Sequence, residues 1–586
     1  MKNIQGISPF SKQMFIRQYV PVLISAFVFA LADMADALVV GNRMGATGLG
    51  AIAFTLPVYM FYNVIMHSFG LGGAIDFATK MTEGNEERAR SSFQGVLVTL
   101  LIISTAIAII GHIGMNGLLF ILGVPTSYPE LYEASKTYLG IILTAAPLFF
   151  FDYSIGYYLR NDDYEKQSSI AAGIGNIADL LLNIILVLVF NMGVRGAAYA
   201  TFTGLVLSSA VELFFMLQNT SHLKLTPFKP DFSNIVSIYK LGVASFISYL
   251  YSFVFILIGN NAMIRLGGDA GVAVFDIIGN LGNLGFYIFN AAAMATQPII
   301  STYEGECKYD ECDRVQTLSF ITTAVSAIAL AVLLNIFAPQ VCQLFGLHDP
   351  SMIAFGSTAI RIYSASLLFI GFNVSMSNYY TSRNISAPAF MTSTLRGVVI
   401  LLPVTFACIA LGKEAFWFTY VITEMATFAL VYIYLKIRPP KTARISEERI
   451  YHTSLGSDAE RIAPTVEQIE SFCEKWDAAP KQLYYIQMTV EEVCSAIIVN
   501  GFQKSGKNTS NLIELTVVAQ ENADFSLHIR DNATSFNPFG MSKKSLFEIE
   551  NKDSDFNALG MDIIKKKAKS FYYRRYQGFN TMVVKI

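Results

Sequence analysis

Ala32-Asp33-Met34-Ala35-Asp36-Ala37 places two carboxylates inside an apolar run that extends from Tyr19 to Gly41, with Arg17 before it and Arg43 beyond. As a helix such a run rises about 34 Å, enough to cross the hydrocarbon core of a bilayer. A carboxylate held there costs roughly 3 kcal/mol or more, so its default reading is functional. Asp33 and Asp36 are three residues apart and project from neighbouring positions on one helix face. Asp36 stands closer to the far end, about 10 Å of helix rise short of Arg43. Such a pair needs a cavity, and the rest of the sequence has to supply it.

The composition frames that search. Of 586 residues, 53% are hydrophobic and only 15% charged, the balance of a polytopic helical membrane protein. A formal net charge of -2 points to no nucleic-acid partner. The six cysteines show no disulfide framework and read as reduced cytosolic thiols. Cys307 and Cys312 are the only near pair, and no His stands close enough to complete a zinc set, so no metal site is expected. The first apolar run is too long and too acidic for a cleavable signal.

Apolar runs recur up to about residue 437 and predict an all-α polytopic bundle of about twelve transmembrane helices, in two six-helix lobes. The expected spans are 14–41, 49–76, 93–123, 133–159, 167–191, 194–217, 239–265, 270–299, 316–345, 355–381, 387–411 and 414–437. Basic residues collect on alternate loops, at Lys80, Arg88, Arg90, Arg160, Lys166, Lys224, Lys229, Lys308, Arg314, Arg383, Lys436 and Arg438. The positive-inside rule therefore puts both termini in the cytoplasm of a cell whose plasma (inner) membrane the chain crosses. Thr82-Glu83-Gly84-Asn85-Glu86 matches Tyr303-Glu304-Gly305-Glu306-Cys307 at an offset of about 221, and Gly45–Ala51 has a looser echo in Gly267–Ala273. Two parallel repeats of this kind enclose a midplane cavity and alternate its access by rocking. The organisation read from this is an N-terminal lobe over 1–217, a cytoplasmic linker over 218–238, a C-terminal lobe over 239–437, a linker over 438–449 and a cytoplasmic domain over 450–586. At the repeat offset Asp36 corresponds to Leu257, so the acidic centre belongs to one lobe only.

A second polar set lies in the fifth span, at Asn176, Asp179 and Asn183. Asp179 and Asn183 are four apart and stack on one helix face. The asparagines can equally be helix–helix hydrogen bonds, whereas a buried carboxylate such as Asp179 has to be neutralised or paired. Asp152 is a weaker candidate of the same kind, and Asp33 divides evenly between function and a structural bond. In the second half Asn260, Asn261, Asn280, Asn283, Gln297, Asn373, Ser377, Asn378 and Tyr379 are polar but uncharged, and packing explains most of them. Asp276 is read as lying near a helix start.

At these residues a resemblance becomes specific. Asp36-Ala37-Leu38-Val39-Val40-Gly41 resembles the D-x-x-x-V-G ending of the first helix in the MATE family of multidrug and toxic-compound exporters. Gly70-Leu71-Gly72-Gly73 through Glu83-Gly84-Asn85, Leu159-Arg160-Asn161-Asp162, Gly193–Ala198 and Gln297-Pro298-Ile299-Ile300-Ser301 fit the same pattern in order, over residues 10 to 437. The resemblance implies a secondary antiporter driven by H⁺ or Na⁺, with ion exchange at an acidic site of the N-terminal lobe that includes Asp36. In the fifth helix the family order is Asn followed by Asp. Here Asp179 and Asn183 stand in reverse order. Glu304 and Glu306 also depart from the family, which carries Asn and Ala there.

After Pro439-Pro440 the composition becomes that of a soluble α+β domain of about 140 residues. Strands are expected near 450–455, 511–519, 524–530, 570–576 and 579–586, with helices near 464–476, 480–503 and 557–569, and a turn at Gly578. The order resembles the histidine-kinase-like ATPase fold, closest to anti-sigma-factor serine kinases. The carry-over gives Glu492, Asp531, Asn532 and Gly560 as possible nucleotide-binding positions for ATP or ADP. The Mg²⁺-holding Asn of that family is Ala496 here, Ala533 replaces a loop Gly, and one lid Gly is lost, which weakens a phosphate cradle. The tail is therefore read as a regulatory or partner-docking domain without kinase or ATPase activity.

The sequence thus predicts an ion-coupled exporter of cationic or amphipathic drug-like molecules. It is no enzyme, has no catalytic residues and requires no cofactor beyond the coupling ion. Its candidate coupling and substrate residues are Asp36, Asp179, Asn183, Asn176 and Asp33, and its partners are small-molecule cations, membrane lipid and a cytoplasmic regulatory protein at the tail. Two alternatives stand beside it, a lipid-linked substrate flippase, for which Arg361 and Arg396 are the residues to check, and a membrane-tethered signalling protein acting through the tail.

Overall fold

A computed structural model describes residues 9–82, 86–162, 164–218, 223–225, 227–383, 385–439, 445–502, 511–520, 524–533, 563–576 and 579–586. Among these the chain is helical almost throughout up to Ile437 and carries one small sheet beyond Ile450. Among the described residues nine helices are long and apolar enough to cross a membrane, or ten if the bent pair Pro350–Ser364 and Leu367–Ser382 forms one span. The shortfall against the expected spans has a local cause. Spans expected at 14–41 and 49–76 run together in Phe10–Met81, and those at 239–265 and 270–299 run together in Tyr249–Gly305.

What interrupts each long helix is a single residue. Gly45 takes φ 59 and ψ -141 inside Pro9–Ile65, and Gly268 takes φ 64 and ψ -153 inside Ile235–Gly305. A side chain with a Cβ is strained in that region, whereas glycine enters it freely. The two breaks are counterparts in the internal repeat, one residue off the Gly45–Gly267 alignment read from the sequence. Gly123 and Gly346, and Gly193 and Gly412, form further pairs with positive φ at nearly the same spacing. The fifth and eleventh expected spans each contain a π-helical turn, at Ile184–Val189 and Leu395–Val399.

The chain forms two compact units, the larger comprising Val22–Met294 with Ser319–Arg438. One apolar core runs through both of its halves, from Met34 in the first helix to Trp417 near the end of the bundle. Some of the contacts between the halves lie at the end remote from the basic loops. There Asn42 Nδ2 donates to the Leu344 carbonyl at 2.5 Å, and Asn260 Nδ2 to that of Ala53 at 2.6 Å. Gly41, which closes the D-x-x-x-V-G stretch, lies so close to the Phe345 backbone that an added Cβ would overlap the carbonyl oxygen. Asp276 lies inside the long second-half helix, buried, and not near a helix start as the sequence suggested. It stands eight residues, about two turns, beyond the break at Gly268.

The smaller unit comprises Met1–Pro21, Ala295–Leu318 and Pro439–Ile586. Its sheet contains β1 (Ile450–Leu455), β2 (Ile513–Ala519), β3 (Phe525–Asp531), β4 (Ser570–Tyr576) and β5 (Phe579–Lys585), antiparallel in the order β1-β2-β3-β5-β4. Helices Ile462–Lys475 and Pro480–Ala496 cover one face, packing Ile469, Ile486, Val490 and Val493 on Leu515, Val517, Leu527 and Ile529. These bounds match the sequence reading to within two residues at most strand and helix ends. Residues 563–567 are helical, while Gly578 and residues 557–562 of the helix expected near 557–569 lie outside the described residues.

Candidate functional site

Asp36 is carried by the first helix and met by three other helices of the N-terminal half. Asn183, at the end of Glu165–Asn183, donates through Nδ2 to Asp36 Oδ1. Tyr138 of Pro129–Asn161 donates its hydroxyl to Asp36 Oδ2 at 3.2 Å. Thr201 of Val194–Met216 lies 3.4 Å from Asp36 Oδ2 and 3.4 Å from Asp179 Oδ1, so one hydroxyl connects the two carboxylates. Thr201 also reaches the Ala197 carbonyl of its own helix at 3.3 Å. Asn183 is fully buried, and its amide oxygen Oδ1 has no hydrogen-bond partner. The π-helical turn begins at the next residue, and such a local change of register re-aims a side chain, a feature common at functional sites.

The donors and acceptors here are all oxygen apart from the single Asn183 amide nitrogen. Two carboxylates, a hydroxyl and an unpartnered amide oxygen suit a small hard cation or a proton. With both carboxylates ionised the cluster holds two like charges away from water, and one added positive charge relieves that repulsion. Such a pair can take up one monovalent cation.

The remaining sequence candidates are distributed differently. Asp33 accepts a hydrogen bond from the Tyr287 hydroxyl at 2.6 Å, linking the first helix to the second half and sharing no bond with the Asp36 set. Asn176 is exposed and likewise outside the set. Asp152 accepts from Ser209 Oγ at 3.2 Å, and near it lies Glu212, buried, with Oε2 lacking a partner. Glu212 was not singled out by the sequence, nor were Tyr138 and Thr201. In the second half Arg396 pairs with Glu424 at 2.7 Å, and Asn373 Nδ2 donates to the other Glu424 oxygen at 2.7 Å. Arg361 is exposed.

In the tail, Asp531 Oδ1 accepts from Asn580 Nδ2 at 2.7 Å and from the Ala533 amide at 2.9 Å. Asn532 Oδ1 accepts from the Leu512 amide at 2.9 Å. Both side chains thus tie strand ends together. Glu492 is half-buried on its helix, with Oε2 unpartnered, and Gly560 lies outside the described residues.

Comparison with known proteins locates this geometry in a family. The MatE family model matches residues 21–185 and 241–407. Multidrug export protein MepA of Staphylococcus saprophyticus is 22% identical over 436 residues, covering 71% of this chain and 92% of that protein. Multidrug and toxin extrusion protein 1 of Xenopus tropicalis is 21% identical, over 71% of this chain and 72% of that one. Among solved structures, an inward-facing multidrug resistance MATE transporter of the MOP superfamily superposes with TM-score 0.63 at 21% identity, covering 70% of this chain and 94% of its own. An outward-facing one superposes with TM-score 0.56 at 22% identity, covering 75% and 98%.

Proposed function

The chain belongs to the MatE family, and from that premise we propose that it is an ion-coupled exporter of cationic or amphipathic small molecules. The observation that carries this reading is the meeting of Asp36, Asp179, Asn183 and Thr201 on one part-buried set of oxygens within one lobe. Export of drug-like compounds is what the names of its relatives describe. As a family member the chain is a secondary transporter and not an enzyme. Breaking the two long helices at Gly45 and Gly268, and counting the bent pair as one, supports twelve passes in two six-helix lobes. The basic loops then face the cytoplasm of a plasma (inner) membrane.

The mechanism is competition. When the cavity faces outward, the Asp36–Asp179 pair takes up H⁺ or Na⁺, and a cationic substrate is released. When it faces inward, the ion leaves and the pair attracts the next substrate. Occupancy drives the cycle only because the ion binds the two facing states with different affinity. Arg396 is engaged by Glu424, which leaves it poorly placed to hold a lipid-linked phosphate, and so the exporter is favoured over the flippase. The tail is read as a cytoplasmic regulatory domain of histidine-kinase-like fold, with Asp531 and Asn532 occupied by structural bonds.

The test is uptake of a fluorescent cation by inside-out vesicles, driven by a pH jump in one arm and a Na⁺ gradient in the other. Asp36→Asn should abolish uptake in the arm that supports it. Transport by that variant at the wild-type rate would sink the coupling role.

A further inference from the structure

A layer of helices on one face of an antiparallel sheet ordinarily leaves the other face in water, with polar residues alternating outward. In the tail the second face is polar but buried. Glu514 of β2 is 8% exposed, Thr516 1%, and Arg530 of β3 2%. Strand pairing sets His452, Thr516, His528 and Glu514 with Arg530 on this one face, and Phe579 of β5 shares it. What covers them is the start of the first helix and the segment after Gly305, all within the smaller unit.

The contacts are specific. Arg530 is ion-paired with Glu514 at 2.8 Å and with Glu306. Its guanidinium carbon lies 3.8 Å from the ring centre of Phe10, and Phe10 meets Phe579 edge-on at 4.7 Å. Lys308 donates to His452 Nδ1 at 2.8 Å and pairs with Glu306 at 3.1 Å. Beneath them the hydroxyls of Ser11 and Tyr303 are 2.9 Å apart. A buried arginine is tolerated only when both its charge and its plane are satisfied. Here that takes one carboxylate from the tail, one from the loop after Gly305 and one ring from the first helix. Glu306 is one of the two positions at which that loop departs from the family pattern.

We propose that the tail is a clasp, whose open sheet face holds the start of the first helix against the end of the Ile235–Gly305 helix and has to let go for the transport cycle to proceed. This rests on the exporter reading. The first helix belongs to one half of the repeat and the Ile235–Gly305 helix to the other. Rocking of the halves parts those ends, and Arg530 would then lose Phe10 or Glu306. The clasp favours the arrangement in which the ends are together, and its release is the point at which a cytoplasmic signal could set the turnover rate.

The experiment uses the full chain in lipid vesicles. Glu306→Gln leaves the Arg530–Glu514 pair inside the tail intact, and Lys308→Met serves as the second variant should the first fold poorly. Either should raise amide hydrogen exchange in residues 299–308 and in β3 and β5 by about fivefold, and should raise the turnover of a fluorescent cation. Conversely, joining Phe10→Cys to Phe579→Cys with a short bis-thiosulfonate cross-linker, which links each thiolate as a disulfide with loss of sulfinate, should slow transport by about tenfold, with recovery when a reductant cleaves the disulfides. Unchanged exchange in both variants overturns the docking, and normal transport by the cross-linked protein overturns the need for release. Loss of all transport in the wild type would instead sink the exporter reading, while the exchange result still decides the docking.

Discussion

The two halves of the bundle share a backbone and differ in charge. Gly45 and Gly268, Gly123 and Gly346, Gly193 and Gly412 break the chain at matching places, and both halves carry a π-helical turn in the counterpart helix. Yet Asp36 faces Asn183, Tyr138 and Thr201 in the first half, while its counterpart Leu257 is apolar. The second half instead contains a closed ion pair, Arg396 with Glu424, whose charge is already balanced. The scaffold repeats but the acids do not, since the second half's buried Asp276 stands away from the Leu257 position and accepts from Asn280 Nδ2 at 3.2 Å.

That contrast can be broken from its strongest side first. Asp36→Asn should cut ion-driven uptake by about a hundredfold or more, since a buried carboxylate in the membrane is retained against a cost of roughly 3 kcal/mol. The mirror change Leu257→Asp should destabilise the fold by a similar amount and create no new coupling, as read by thermal unfolding beside the same uptake assay. Glu424→Gln should lower stability by about 1–2 kcal/mol, because Arg396 loses its counter-charge in a partly exposed setting. The ion dependence of transport should be unchanged, and a shift in it would show that the second half also couples. Thr201→Val should weaken coupling by about fivefold through loss of roughly one hydrogen bond, with Thr201→Ser restoring it.

A smaller effect is expected from pH on the tail. Partial burial and the neighbouring Lys308 ammonium hold the His452 imidazole down to about 4, against the opposing pull of Glu306, with Arg530 also nearby and Thr516 at its ring. An imidazole freed to water takes its proton near 6.5, so between about pH 6.5 and 4 a tail whose undocking uncovers His452 binds more protons than the docked one. Docking should therefore be insensitive to pH above 6.5 and weaken as pH falls towards 4. Glu306 adds to this at the acid end. Although burial opposes it, Arg530 and Lys308 hold its carboxyl below the usual range, so its contribution is present above about 4.5 and lost on further acidification. Amide exchange in β1 and β3 at pH 7.5 and at pH 5 measures the difference, and equal protection at the two values would exclude His452 from the contact.

The sequence made some of this legible and hid the rest for physical reasons. Asp36, Asp179 and Asn183 announced themselves because charge and amide groups are rare in apolar runs and their spacing stacks them on one face. Tyr138 and Thr201 did not, since a hydroxyl is cheap to bury and resembles packing. Glu212 and Glu424 did not either, because a lone acid in an apolar run does not show by itself which neighbouring helix it meets. The long helices were parsed as separate spans because glycine and polar residues mark a loop, yet at Gly45 and Gly268 the reversal needs only one residue. Glu306 was visible as a departure from the family, but its partner lies more than two hundred residues away, across a strand alternation that by itself says only that one face is polar.

The Thr201 hydroxyl has a consequence of its own. It has one proton and three acceptors within 3.4 Å, namely Asp36, Asp179 and the Ala197 carbonyl. At any instant it can direct that proton at only one of them. The orientation of a single O–H bond thus reports which carboxylate is negative, and infrared difference spectra of the carboxyl stretch, compared between threonine and valine at this position, should follow any change in the charge of the pair as the bond swings.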